Sequence, residues 1–209
     1  NEIFSRYMPR RWGDQPVPAM PEVLYQTVVQ ASKPVLQIEI KSLRAQNRSL
    51  YPELALRYWF DQLLVHGFQR HVTLHRRNGL RRLVSHLMAQ RSGVFVQSAA
   101  EPLAKRPPLL IKTAEIQEGA ETHNLLHWLD LYAATHQQLV ESLERFCAAQ
   151  GLPAPLKLVY EDSLEDDPQV AYRQLCGWLE LEPEPVTLLH RRINPEPLPQ
   201  LIANWEEIC

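Results

Sequence analysis

Apolar and polar positions alternate along this chain in segments that favour strand and helix in turn. Runs rich in β-branched and apolar residues predict strands at 34–41, 71–75, 109–113 and 156–160. Apolar residues at helical spacing predict helices at 21–32, 51–66, 79–90, 119–150, 168–180 and 198–207. Strands that alternate with helices are typical of a parallel sheet covered on both faces, so the predicted fold class is α/β.

Residues that start and stop helices support several of these boundaries. Asn78 stands where a side chain can cap the helix from Gly79, and Pro168 suits the first turn of a helix that Asp166 or Asp167 leads into. Gly151 is a natural stop for the long helical pattern before it. The Arg91-Ser92-Gly93 stretch follows a helix, and we interpret it as another stop.

Composition narrows the class of protein. The 209 residues suit one medium domain, and a net charge of -2 gives no overall attraction to nucleic acid or anionic membranes. The apolar runs are too short to cross a bilayer. The three cysteines, Cys147, Cys176 and Cys209, are widely spaced, which argues against a disulfide framework or a zinc site and suits a reducing compartment. We therefore expect a cytoplasmic protein.

The densest group of cations follows the predicted strand at 71–75. This strand runs into Arg76, Arg77 and Asn78, and the next helix carries Arg81, Arg82 and Ser85. Ligands of parallel sheets bind at the carboxyl ends of the strands, where a helix N-terminus also offers unpaired N–H groups. A guanidinium at the strand end and a hydroxyl in the helix could hold one phosphate together. The alternative is a solvated basic face.

The stretch TLHRRNGLRRLVSH, residues 73–86, resembles the 3′-phosphate-binding segment of PAPS-dependent sulfotransferases. The similarity is greatest to the bacterial branch that contains nodulation and trehalose sulfotransferases. It implies that Arg76 and Ser85 bind the donor, with Arg77 as a second candidate because other branches use a spacing one residue shorter. It also implies one sulfotransferase domain over 1–209, a three-layer sandwich whose central parallel sheet is flanked by helices in the P-loop-NTPase-like sulfotransferase fold.

Three further segments resemble this family in the expected order. Asn1-Glu2-Ile3-Phe4 is similar to the E-x-F segment, which implies that Glu2 is the catalytic base, and residues 38–41 are similar to the strand ending in G-x-K, which implies that Lys41 lines the cleft. Residues 158–162 followed by Asp167-Pro168 resemble the Y-E-D-L…D-P stretch. Without the resemblance, two alternatives are as plausible: Glu2 is a surface glutamate, and Lys41 is a solvated lysine at the end of a strand.

One element of the family is missing from this sequence. Relatives bind the 5′-phosphosulfate with an R-S-G-S/T loop, whereas the seven glycines here form neither G-x-G-x-x-G nor G-x-x-x-x-G-K. The resemblance places that loop upstream of Asn1. We therefore expect the sequence to be N-terminally incomplete and the chain alone to be inactive.

The predicted function is transfer of a sulfuryl group from PAPS to a hydroxyl or amine of a small-molecule or carbohydrate acceptor. PAP is the product, no metal and no nucleic acid are expected, and a homodimer is left open. One alternative is a small-molecule kinase; another is a non-catalytic α/β interaction module with an Arg-rich anion-binding patch.

His123 and His127 have metal-ligand spacing without a third partner. Glu161 and Asp162 are either a functional carboxylate pair or an anchor for arginine side chains, or Asp162 caps a turn or helix.

Overall fold

A computed structural model describes residues 18–31, 37–40, 50–51, 54–95, 97–101, 106–118, 121–189 and 194–208. Within these ranges the elements, in chain order, are α1 Met20–Val29, α2 Leu56–Val65, β1 Val72–His75, α3 Gly79–Ser92, β2 Ile116–Glu118, β3 Glu121–His123, α4 Leu125–Gln150, β4 Leu156–Val159, α5 Tyr160–Ser163, α6 Pro168–Leu179, α7 Leu198–Leu201 and α8 Trp205–Ile208. None of the helices in these ranges combines the length and the apolar character that crossing a membrane requires.

Contacts between residues group the chain into two compact units. One comprises Asn1–Thr73 with Ala134–Lys157, and the other comprises Leu74–Ala133 with Leu158–Cys209. The division passes through β1, α4 and β4, so each of these elements contributes residues to both units. The single sulfotransferase domain over 1–209 stays a prediction.

The first unit is built around one apolar cluster. Helix α1 buries Met20, Val23 and Leu24, and their spacing of three and four residues places them on one helix face. Phe60 of α2 packs against Phe146 of α4, with ring centroids 5.4 Å apart. The buried members of the cluster are Met20, Val23, Leu24, Tyr51, Trp59, Phe60, Leu63, Leu143, Phe146 and Cys147.

The second unit contains α3 and a short antiparallel hairpin. The Asn78 side chain accepts the backbone N–H of Arg81 at 2.8 Å, and Gly93 ends α3 with a φ of 70°. This confirms both the predicted cap and the interpretation of residues 91–93 as a helix stop. Strands β2 and β3 pair antiparallel with Ile116 opposite His123. The Trp128 indole donates to the Ile116 carbonyl at 2.9 Å and ties α4 to the hairpin.

The sheet that positions the site consists, within the described residues, of β1 and β4. These neighbouring strands form a small parallel sheet flanked by helices, which agrees with the predicted α/β class. The backbone N–H of Leu156 donates to the carbonyl of His71 at 3.0 Å. A sheet of this size is compatible with many α/β folds, so the three-layer P-loop-NTPase-like arrangement stays a prediction.

The predicted strand at 34–41 lies largely outside the described residues. Of the four described positions, 37–40, only Glu39 takes part in a β-bridge.

The prediction of a strand at 109–113 is wrong beyond its first residue. Leu109 makes a single parallel bridge with Ile202. The chain then turns, since the N–H of Glu115 donates to the carbonyl of Lys112 at 3.0 Å. Pro107 and Pro108 precede this bridge and have no N–H groups with which to extend a ladder.

Two predicted helix boundaries also differ from the structure. The helix predicted from residue 119 begins at Leu125, because 116–123 contains the hairpin and the Asn124 side chain caps α4 by accepting the N–H of His127 at 2.8 Å. The closing helix predicted over 198–207 is divided into α7 and α8. Leu109 bonds to the carbonyl of Leu201 at 2.8 Å and to the N–H of Ala203 at 2.9 Å, which interrupts the helical pattern there.

Candidate anion-binding site

Two strand ends meet at the carboxyl edge of the small parallel sheet. Strand β1 ends at His75, and 76–78 lead directly into α3. The neighbouring strand β4 ends at Val159 and turns at once into α5, which begins with Tyr160, Glu161 and Asp162. This is the edge at which ligands bind in parallel sheets.

Arg76 and Ser85, both predicted to bind the donor, are brought together at this edge. Arg76 Nη1 donates to Ser85 Oγ over 3.4 Å, a long hydrogen bond. The guanidinium also stacks on Tyr160, with its Cζ 3.8 Å from the ring centroid. Stacking uses the face of the guanidinium and leaves the N–H groups at its edges in position to meet an anion.

Arg77, the second candidate, has a different partner. Its Nη2 lies 2.6 Å from Asp162 Oδ2, and the two side chains are 63% and 56% exposed. An ion pair so accessible to water contributes about 0–1 kcal/mol to stability. The structure therefore pairs Arg77 with a carboxylate of the chain itself rather than with Ser85.

The carboxylate of Glu161 occupies the start of α3. Its Oε2 accepts the N–H of Arg77 at 2.9 Å, and its Oε1 accepts the N–H of Asn78 at 3.0 Å. Partial burial raises the pKa of Glu161, but backbone N–H groups, those of Asn78 and Arg77 among them, and the charge of Arg76 together bring the pKa below its usual value. Glu161 therefore binds the backbone that leads into α3, whereas Asp162 contacts the side chain of Arg77, as the interpretation of this pair as an anchor for arginine side chains predicted for Asp162.

Arg81 is a buried structural residue of the second unit. It is 6% exposed, and its guanidinium donates to the backbone carbonyls of Asn194 and Glu196. These bonds attach the proline-rich segment 194–199 to α3. A solvated basic face, the alternative interpretation of the arginine group, does not describe this side chain.

Arg82 belongs to a second polar group that sequence reasoning did not find. Its guanidinium lies 4.4 Å from the centroid of Tyr132, whose hydroxyl donates to the carboxylate of Glu118. Glu118 is 2% exposed, and His86 Nε2 lies 3.6 Å from its Oε1. Burial and the bond to Glu118 raise the pKa of Tyr132, so that it remains a hydrogen-bond donor.

A cleft of about 490 Å³ opens beside Arg76. Its volume lies within the usual range for small-molecule sites. The lining residues of this cleft are Arg76, Asn78, Arg81, Tyr160, Glu161, Glu165, Pro195, Glu196, Pro197, Leu198, Pro199 and Trp205. The space beside the Arg76 guanidinium is therefore large enough for a small molecule.

The other candidate residues fall elsewhere. Glu2 and Lys41 lie outside the described residues. The rings of His123 and His127 stack with centroids 3.9 Å apart, and His123 Nε2 lies 3.4 Å from Glu121 Oε2. In the part of the chain that the structure describes, no group of three or more His, Cys, Asp or Glu side chains could hold a metal ion.

The chain matches no protein-family model, no curated protein and no solved structure.

Tyr160 is the contact residue of this site that sequence reasoning missed. It precedes Glu161 and Asp162 in the segment that carries the resemblance, but nothing in the sequence shows that its ring covers Arg76. Residues 76 and 160 are far apart along the chain and meet only because β1 and β4 are neighbours. A tyrosine directly after an apolar strand, in register with an arginine after another strand, is the signal that could have indicated this contact.

Proposed function

We propose that this chain belongs to a PAPS-dependent sulfotransferase of the P-loop-NTPase-like fold, acting in the cytoplasm on a hydroxyl or amine of a small-molecule or carbohydrate acceptor. The observation that carries the proposal is the convergence of Arg76 and Ser85 at the carboxyl end of β1, with Arg76 Nη1 and Ser85 Oγ 3.4 Å apart. The resemblance of residues 73–86 to the 3′-phosphate segment of this family supports the same two residues.

The chemistry of the pair suits a phosphate monoester. A guanidinium can donate two parallel N–H groups to two phosphate oxygens, and a serine hydroxyl can donate to a third. The stacked position of Arg76 on Tyr160 reduces the rotamer freedom that binding would otherwise remove. Arg76 and Ser85 would therefore hold the 3′-phosphate of PAPS or PAP.

The transfer itself requires groups beyond this pair. The acceptor oxygen or nitrogen bonds to the sulfur of PAPS, the bond from sulfur to the bridging oxygen breaks, the acceptor proton passes to a base, and PAP departs. Glu2 as the base and Lys41 as the group that neutralises the bridging oxygen are parts of the proposal. No metal takes part in this scheme.

Binding of PAP to the folded chain, measured by isothermal titration calorimetry, tests the proposal. Losing a charge-assisted hydrogen bond costs about 1.5–3 kcal/mol, so Arg76→Ala should weaken PAP binding roughly 10- to 150-fold. Arg173→Ala is the control with the same change in net charge, because Arg173 pairs with Asp167 away from the cleft, at 3.3 Å. It should bind PAP as the unaltered chain does.

A second ligand separates the 3′-phosphate from the rest of the nucleotide. Adenosine 5′-phosphate lacks that group, so its affinity should be weak and insensitive to Arg76→Ala. A folded chain that does not bind PAP, or an Arg76→Ala variant that binds it unchanged, would contradict the proposal. Arg76-dependent binding of an acidic peptide without binding of PAP would instead support the anion-binding interaction module.

A further inference from the structure

Tyr160 meets Arg76 from a hydrogen-bonded part of the backbone. It directly follows β4, and its backbone carbonyl accepts the N–H groups of Leu164 and Glu165, each at 2.9 Å. These bonds fix the backbone position from which the ring reaches the guanidinium of Arg76, whose Cζ lies 3.8 Å from the ring centroid.

The residues on either side of this contact keep the two segments in register. Asp162 pairs with the guanidinium of Arg77, and Glu161 accepts the N–H groups of Arg77 and Asn78. Three successive residues after β4 therefore contact three successive residues after β1. This places the backbone of Arg76 opposite Tyr160 independently of the stacking interaction.

We infer that Tyr160 is a positioning residue of the proposed phosphate site, and that its ring fixes the plane of the Arg76 guanidinium for the 3′-phosphate. This inference rests on the proposed function. An aromatic face attracts a cation without using its N–H groups, so the ring orients Arg76 while Nη1 contacts Ser85 and the other edge groups meet the phosphate. A guanidinium that is oriented before binding loses less freedom on binding.

The test is a double-mutant cycle on PAP affinity, measured by calorimetry with the 209-residue chain. Loss of a cation–π contact that orients the ligand-binding group should weaken PAP binding about 5- to 30-fold in Tyr160→Leu. Tyr160→Phe keeps the ring and should restore affinity to within about 2-fold of the unaltered chain. In the Arg76→Ala background, Tyr160→Leu should cause no further loss, because the group that it orients is gone.

Circular dichroism and thermal unfolding of each variant accompany the titrations, and Tyr160→Met replaces Tyr160→Leu if the latter does not fold. If Tyr160 had a purely structural role, Tyr160→Leu would weaken PAP binding equally in the unaltered chain and in the Arg76→Ala background. That result would overturn the inference. So would a Tyr160→Phe variant as weak as Tyr160→Leu. If Arg76→Ala weakens binding but Tyr160→Leu does not, the inference fails and the proposed function stands; if Arg76→Ala has no effect, the proposed function fails.

Discussion

Arg77 and Arg81 lie four residues apart, but their guanidinium groups are in opposite environments. Arg77 forms an ion pair with Asp162 in which its side chain is 63% exposed, whereas Arg81 is 6% exposed and donates to two backbone carbonyls. One of these carbonyls belongs to Asn194, which is itself buried. Burial of an acceptor without its donor is costly, whereas an exposed ion pair contributes little.

Arg81→Ala should therefore lower the free energy of unfolding substantially. Loss of the donor to the buried Asn194 carbonyl alone costs about 1–3 kcal/mol, and the lost packing of the side chain adds to it. Arg77→Ala, the control four residues earlier, should change the free energy of unfolding by about 1 kcal/mol or less. Urea unfolding at pH 7 measures both, and equal losses in the two variants would contradict this account.

A glycine stabilises helix α3 but destabilises helix α6. Gly93 ends α3 with a φ of 70°, a left-handed conformation that disfavours a side chain. Gly177 lies inside α6, where a Cβ would point into open space and contact nothing beyond its own helix within 4 Å. The first position requires glycine, whereas the second only loses helix stability by having it.

Replacement by alanine should therefore act in opposite directions at these two positions. Gly93→Ala should destabilise the chain by about 1 kcal/mol, because alanine pays the steric cost of the left-handed conformation. Gly177→Ala should stabilise it by about 0.5–1 kcal/mol, since alanine favours the helix interior. The two midpoints of urea unfolding should move to opposite sides of the unaltered chain, and a shift in the same direction would contradict the assignment of α3 and α6.

For the molecule as a whole, the turn after β4 links stability to pH through Glu161. Burial acts to raise the pKa of this carboxyl group, but backbone N–H groups, including those of Asn78 and Arg77, and the charge of Arg76 together bring the folded-state pKa below the ordinary 4.5. A carboxyl group whose pKa is lower in the folded state stabilises the fold above the unfolded-state pKa. That contribution is lost as the pH falls from 4.5 through the lower folded-state pKa.

Glu161→Gln should therefore destabilise the chain at pH 7, and the difference from the unaltered chain should shrink in acid. The glutamine amide does not ionise, so its hydrogen bonds to the two N–H groups contribute the same free energy at every pH. Urea unfolding at pH 7 and at several values below pH 4.5 gives both curves. A difference that stays constant over this range, or that grows as the pH falls, would show that the Glu161 carboxylate is not held as described.

The sequence by itself determined the features that depend on neighbouring residues. Strand β1, the Asn78 cap, the stop at Gly93 and the start of α6 at Pro168 were predicted correctly, because side-chain caps and backbone preferences act within a few residues. The pairing of Arg76 with Ser85 was also predicted, since a strand end followed by a helix brings positions nine residues apart to one place.

Tertiary structure decided what depends on residues distant in sequence. The bonds of Leu109 to Leu201 and Ala203 divide the predicted closing helix, and a hairpin takes the residues before α4. Glu161 reaches the N–H groups of Arg77 and Asn78 across more than 80 positions, and Tyr160 covers Arg76. The helix propensities of individual residues differ by less free energy than such hydrogen bonds and contacts contribute, so the tertiary contacts decide the structure at these positions. The partners after β1 and β4 meet only because these two strands pair.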